Sequence, residues 1–235
     1  MRAPRQDPAA LIATLIESGG PLFRPPVTDP FHLVLWEQVA YLADDAQRLK
    51  AYRQLELASG LEPARVAALP EETRLAIARA GGAIGFELRA QRLLDSARRV
   101  LEKHGGDLAA ALPEDNLKAR RLLEAFAMIG APGADRILLL MGRRDVFALE
   151  SGGLRTLLRL GLGTPDPRYE RAYASTQAAL AGRLPEDPAW RVDAHLALRR
   201  HGQETCRRSA PACAACPLAQ DCPRVGLPAG AGEPG

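Results

Sequence analysis

Residues 187–222 read DPAWRVDAHLALRRHGQETCRRSAPACAACPLAQDC, a helical stretch that runs straight into four closely spaced cysteines. Cys206, Cys213, Cys216 and Cys222 are the only cysteines in 235 residues, and their spacing is Cys-x6-Cys-x2-Cys-x5-Cys. So compact an array is poor material for disulfides, which a reducing cytoplasm would not maintain. A metal centre fits better. Four thiolates suit tetrahedral zinc or a [4Fe-4S] cluster, and softness alone does not separate the two. Zinc sites more often come as two separated Cys-x2-Cys pairs, whereas this chain has one pair bracketed by longer arms. With four protein ligands no position is open to water or substrate. The group is therefore expected to staple the chain end and to shape the loop from Arg207 to Ala212.

Composition frames that site. The length allows one large domain or two small ones. Hydrophobic residues at 47% and charged residues at 25% describe an ordinary globular body, with a tail, GLPAGAGEPG at 226–235, expected to be disordered. The N-terminal MRAPRQDPAALIATLIESGG has the outline of a secretory signal, but Asp7, Pro8 and Glu17 interrupt it, and an amphipathic first helix is expected instead. No window approaches the roughly 18 apolar residues of a membrane span. A soluble, cytoplasmic monomer is expected.

Net charge is only +3 and does not announce a nucleic-acid partner. Its distribution says more: Arg199, Arg200, His201, Arg207, Arg208 and Arg224 crowd the cysteines, against Glu204 and Asp221. Arg207 and Arg208 either meet phosphates or solvate a surface loop. The chain has three lysines, Lys50, Lys103 and Lys118.

Apolar residues recur at helical spacing almost throughout, as at Phe86, Leu93, Ala97 and Val100, and strand-like alternation is nearly absent. The fold class is all-α, with about ten helices separated by Gly- and Pro-rich breaks. One segment, HLVLWEQVAYLADD at 32–45, is apolar nearly all round, which implies burial on more than one side. Glu37 in its middle either faces a solvated strip or sits in an apolar wall. Upstream of the cysteines, LLEAFAMIGAPGADRILLLMG at 122–142 puts a glycine-containing turn between two helices, able to aim backbone N–H groups at a phosphate. VFALESGGLRTLLRLG comes next, at 146–161.

In this order the motifs resemble the endonuclease III family of DNA glycosylases, in the helix-hairpin-helix superfamily. The likeness runs from about Pro30 to Cys222 and includes the Val192–His195 and His201–Cys206 steps before the cluster. It implies a [4Fe-4S] cluster on the four cysteines and a hairpin at Ile129–Gly133, with Gly130, Gly133 and Ala134 at the DNA. It also puts Glu150 in the place of the family's catalytic aspartate and Glu37 at a catalytic glutamate of the adenine-mismatch branch. Leu42 replaces an intercalating glutamine and still suits a wedge. The implied architecture is a two-domain fold: a six-helix barrel over 29–145, and an iron-sulfur domain built from 1–28 and 146–235. Double-stranded DNA with damaged bases would lie between them, in a nucleoid-associated setting.

Three further positions depart from the family pattern. Asp135 stands where bifunctional members carry the lysine that forms a Schiff base, and no lysine follows Lys118. As an acid near the start of a helix, Asp135 also suits the helix dipole. Pro132 removes one N–H from the hairpin's cradle. Glu150 keeps the charge of an aspartate on an arm one methylene longer. The expectation is an N-glycosylase on oxidised pyrimidines, weak or monofunctional. The alternatives are a degenerate paralogue that binds damaged or distorted DNA without cutting it, and a zinc-stapled interaction module.

Overall fold

A computed structural model describes residues 7–228, so the expected disordered tail lies outside the described residues from position 229 onward. The described residues form twelve α-helices, one 3-10 turn at Cys213–Ala215 and no strand: α1 (Pro8–Ser18), α2 (Pro30–Val39), α3 (Asp45–Ser59), α4 (Pro63–Ala68), α5 (Glu71–Ala80), α6 (Phe86–His104), α7 (Leu108–Ala111), α8 (Asn116–Leu123), α9 (Ala131–Leu140), α10 (Ser151–Arg159), α11 (Tyr169–Leu180) and α12 (Pro188–Glu204). The all-α expectation holds. None of these helices is long and apolar enough to cross a membrane.

Three of the helices start on the same dipeptide. Asp7, Asp29 and Asp187 each accept hydrogen bonds from backbone N–H groups of the first turn, and each is followed by a proline at the first helical position. The aspartate satisfies donors that would otherwise have no partner, and the proline's missing N–H is one the helix does not need there.

The chain divides into two compact units, one spanning Pro25–Arg143, the other joining the chain up to Arg24 to the chain from Arg144 onward. The first unit holds α2 to α9, eight helical segments against the six expected. The difference comes from short pieces: α4 spans six residues between Gly60, in the left-handed conformation that ends α3, and Pro70, which caps α5, while α7 is a four-residue turn. At the centre lies α2, where Leu33, Val34, Leu35 and Val39 are fully buried and Trp36 meets Tyr52 edge-on at 5.2 Å.

The second unit packs α1 and α10 to α12 around Ile12, Leu149, Leu157 and Leu198. Its tightest backbone-to-backbone approach is a glycine crossing: a Cβ on Gly202 would fall 2.5 Å from the Gly152 carbonyl carbon. Only two glycines let α10 and α12 meet backbone to backbone. This crossing fixes the register of α12 against the head of α10.

Candidate functional site

The second unit carries the cysteines and Glu150. Cys206 comes directly after α12, and all four cysteines line one cavity with Arg159 and His201. Arg159, buried at the end of α10, donates through Nη1 to Cys206 Sγ at 3.2 Å and to the Arg207 carbonyl at 2.8 Å. Its own carbonyl accepts from Val225 N–H at 3.1 Å and from Cys222 Sγ at 3.5 Å, so one residue holds both ends of the cysteine loop. One turn earlier Arg155 donates to the carbonyls of Cys206, at 2.8 Å, and Gly202, at 2.7 Å.

Burial, with Arg200 beside it, pushes the His201 imidazole down to about 4, so it stands neutral 3.7 Å from Cys216 Sγ. Burial also pushes the Cys216 thiol up, opposed by the Leu218 N–H and reinforced by the other cysteines; Cys222 is raised the same way, with the Arg224 N–H opposing. Thiols gathered like this give up their protons together only to a cation, and the donor set fits a soft metal centre. Among the described residues no three Cys, His, Asp or Glu side chains converge as ligands of a single ion. The exposed Arg207 and Arg208 flank the cavity, their backbone carbonyls held by Arg159.

Glu150 is the N-cap residue of α10, yet its side chain makes no capping bond. Instead Oε2 lies 3.3 Å from Nε of Arg199 on α12, with 27% of the glutamate side chain and 15% of the arginine exposed. The extended segment before it is fastened at each residue: Arg191 donates to the Val146 carbonyl at 3.5 Å, Gln177 to the Phe147 carbonyl, the buried His195 ring meets the Ala148 carbonyl through Nδ1 at 2.9 Å, and the Tyr169 hydroxyl donates to the Leu149 carbonyl at 3.4 Å.

The first unit carries the hairpin, Glu37 and Leu42. Gly130 caps α9, and Ala134, expected at the DNA, is fully buried with its N–H donated to the Gly130 carbonyl at 2.9 Å. The first-turn donors of α9 are therefore Ala131 and Gly133, with Pro132 between them. Asp135 lies one turn further in. It is buried, 3.7 Å from Arg120 of α8, so a salt bridge across the hairpin accounts for it better than the helix dipole does. Glu37 sits in the largely buried apolar wall of α2, its side chain 11% exposed, and there Arg136 grips both carboxylate oxygens, Nε to Oε1 at 2.8 Å and Nη2 to Oε2. Leu42 is 77% exposed with φ +50°, and Met128 at the hairpin turn is 70% exposed with φ +65°.

No protein-family profile matches the chain. Solved structures do. A trapped endonuclease III–DNA covalent intermediate, an estranged-adenine complex, superposes with a TM-score of 0.71 at 18% identity over 94% of this chain and 97% of that one. The chain has the endonuclease III fold. A non-covalent endonuclease III–DNA complex matches with a TM-score of 0.71 at 18% identity over 94% and 96% of the two chains. The structure of a thermostable thymine-DNA glycosylase matches at 0.72, with 14% identity over 92% and 94%. Among curated proteins, "Putative DNA repair glycosylase MJ1434" of Methanocaldococcus jannaschii is 25% identical over 174 residues, 74% of this chain and 76% of that protein.

Within this endonuclease III fold, the four cysteines come together at one cavity as the sequence suggests. Glu150 and Glu37 each acquire an arginine that the sequence alone does not assign, Arg199 and Arg136. A signal for Arg136 is present, since positions 37 and 136 both interrupt strongly apolar helices. None marks Arg199 among so many neighbouring arginines.

Proposed function

We propose that this protein is a DNA N-glycosylase that releases a damaged base by hydrolysis, with Glu150 as its catalytic carboxylate. The observation that carries the reading is the state of Glu150: partly exposed at the start of α10, not used as a cap, and held from the side by an arginine. A carboxylate so placed stabilises positive charge developing on the sugar or orients the attacking water. Glu37 is the weaker candidate because Arg136 engages both its oxygens. Asp135 offers no amine, and its pairing with Arg120 leaves it a structural acid, so base release proceeds without a Schiff base.

The partner is duplex DNA containing damaged bases, oxidised pyrimidines first among them. The first turn of α9 offers backbone N–H groups to a phosphate, Leu42 offers an exposed apolar wedge, and Arg207 and Arg208 offer charge to the backbone. Extrusion of the target nucleotide would give the carboxylate access to its glycosidic bond.

Cys206, Cys213, Cys216 and Cys222 would hold a [4Fe-4S] cluster. Four thiols lining one cavity, at the Cys-x6-Cys-x2-Cys-x5-Cys spacing that resembles the family's cluster loop, support this reading over a zinc ion. The cluster would supply a structural clamp on the chain end, while the polypeptide's own groups do the chemistry.

A damaged-duplex panel quenched in parallel with alkali and with borohydride tests this. Alkali-dependent cleavage without borohydride trapping is expected. Trapping would mean that an amine attacks the sugar and would overturn the role given to Asp135. Salt-dependent binding with no base release would instead favour a lesion-binding paralogue, the reading that Pro132 in the hairpin supports.

A further inference from the structure

Adjacent arginines on α12 have been given different tasks. Arg200 turns to the N-terminal segment, donating to the carbonyls of Gly20 at 2.5 Å and Leu15 at 3.0 Å, and so anchors the end of α1. Arg199 points the other way, to Glu150. Its register is set by the glycine crossing: Arg199 stands three residues before Gly202, hence on the same face of α12, and Gly202 touches Gly152, two residues after Glu150. The pair is therefore built into the helix crossing and is more than a chance encounter of long side chains.

Glutamate is a poor choice for the start of a helix. Short side chains such as Ser, Thr, Asp and Asn reach back to the first-turn N–H groups, and Glu150 does not. A three-torsion arm left to itself samples many directions, and a carboxylate acting on a sugar tolerates little misplacement. It must also be ionised, because a neutral acid lends no charge to a cation-like sugar. A guanidinium 3.3 Å away in a half-buried setting addresses both requirements. Other charged or titratable groups near Glu150 include the Tyr169 phenol, bonded to the preceding carbonyl from α11, the His195 ring, which meets the Ala148 carbonyl from α12, and the positive end of α10 itself.

We propose that Arg199 is a positioning residue for Glu150, holding the carboxylate charged and fixing the direction of its long arm so that a glutamate serves at the head of α10. This rests on the reading of Glu150 as the catalytic carboxylate, and the test separates the two. Protein labelled with carboxyl-13C glutamate is titrated by NMR, with Glu150 assigned through E150Q, in the native chain and in R199M, R199Q and R199K. Loss of the positive charge in R199M and R199Q should raise the Glu150 midpoint by about one pH unit or more, and R199K should return it towards the native value. In an E150D background, where the shorter arm no longer reaches, R199M should have little effect on the midpoint.

The same variants are assayed for single-turnover base release across pH, where the acid limb should move up with the NMR midpoint in R199M and R199Q and return in R199K. A midpoint unchanged in both neutral variants overturns the proposal, as does an acid limb that stays put while the midpoint moves. If the native protein releases no base from any duplex, the glycosylase reading fails on that result alone, and the NMR titration still decides whether Arg199 governs Glu150.

Discussion

Replacing Gly202 with alanine tests the crossing on which the site is built. The added Cβ would lie 2.5, 2.6 and 2.7 Å from the carbonyl carbon, Cα and oxygen of Gly152, all of them backbone atoms. Relief requires the two helix backbones to separate, because no side chain is there to rotate away. Two effects oppose each other. Alanine in a helix interior is favoured over glycine by about 0.5–1 kcal/mol, and overpacking costs typically about 1–3 kcal/mol, towards the upper end when backbone must move. The cost wins by about 1–2 kcal/mol, and at roughly 2–4 °C per kcal/mol for a chain of this size the melting temperature should fall by several degrees. The control is G153A, whose Cβ would meet the Leu198 Cβ at 3.2 Å, a side-chain contact with the same partner helix that can give slightly. Thermal unfolding followed by far-UV circular dichroism should therefore rank native and G153A above G202A. A G202A protein as stable as native, or a G153A protein that loses more, would refute the reasoning.

Other substitutions probe the first unit. Tyr52 is fully buried with no hydrogen-bond partner for its hydroxyl, so Y52F should be more stable than native by about 1 kcal/mol in urea unfolding. R136M leaves the Glu37 carboxylate in a half-buried site without its guanidinium and should cost about 2 kcal/mol, less than the loss of a fully buried pair; E37Q/R136M should recover much of that loss, and a double variant worse than R136M would contradict it. The His104 imidazole, stacked on Phe126, is held below its usual range by burial and then by Arg99. On acidification the unfolded chain takes up this proton first, so the contribution is full above the ordinary histidine value and is lost as pH falls below it. Between about pH 7 and pH 5 the native protein should lose more stability than H104Q; equal losses would remove His104 as a cause.

The all-α class was legible because apolar residues at helical spacing are a local property, and the Asp-Pro helix starts at Asp7, Asp29 and Asp187 are visible in the chain itself. The cysteine spacing pointed to one site because all four lie within a short stretch. What escaped was long-range pairing. Glu37 and Arg136 are separated by 99 residues, and Glu150 meets Arg199 only because α10 and α12 cross at Gly152 and Gly202. Ala134, just past the hairpin, was expected at the DNA from the family resemblance, but helix phase turns its side chain into the core. Charge runs such as Arg199-Arg200 carry no label saying which member is an anchor and which faces a site, because that depends on helix phase and on what is packed alongside.

The most direct measure of the role given to Glu150 is single-turnover base release by native protein and by E150Q on the damaged duplex that the native protein processes fastest, with duplex affinity measured beside it. If Glu150 carries the hydrolysis, E150Q should bind the duplex about as well as native and release base about 10²–10⁴-fold more slowly. An E150Q rate within a few-fold of native would contradict the central claim and place the chemistry on another group.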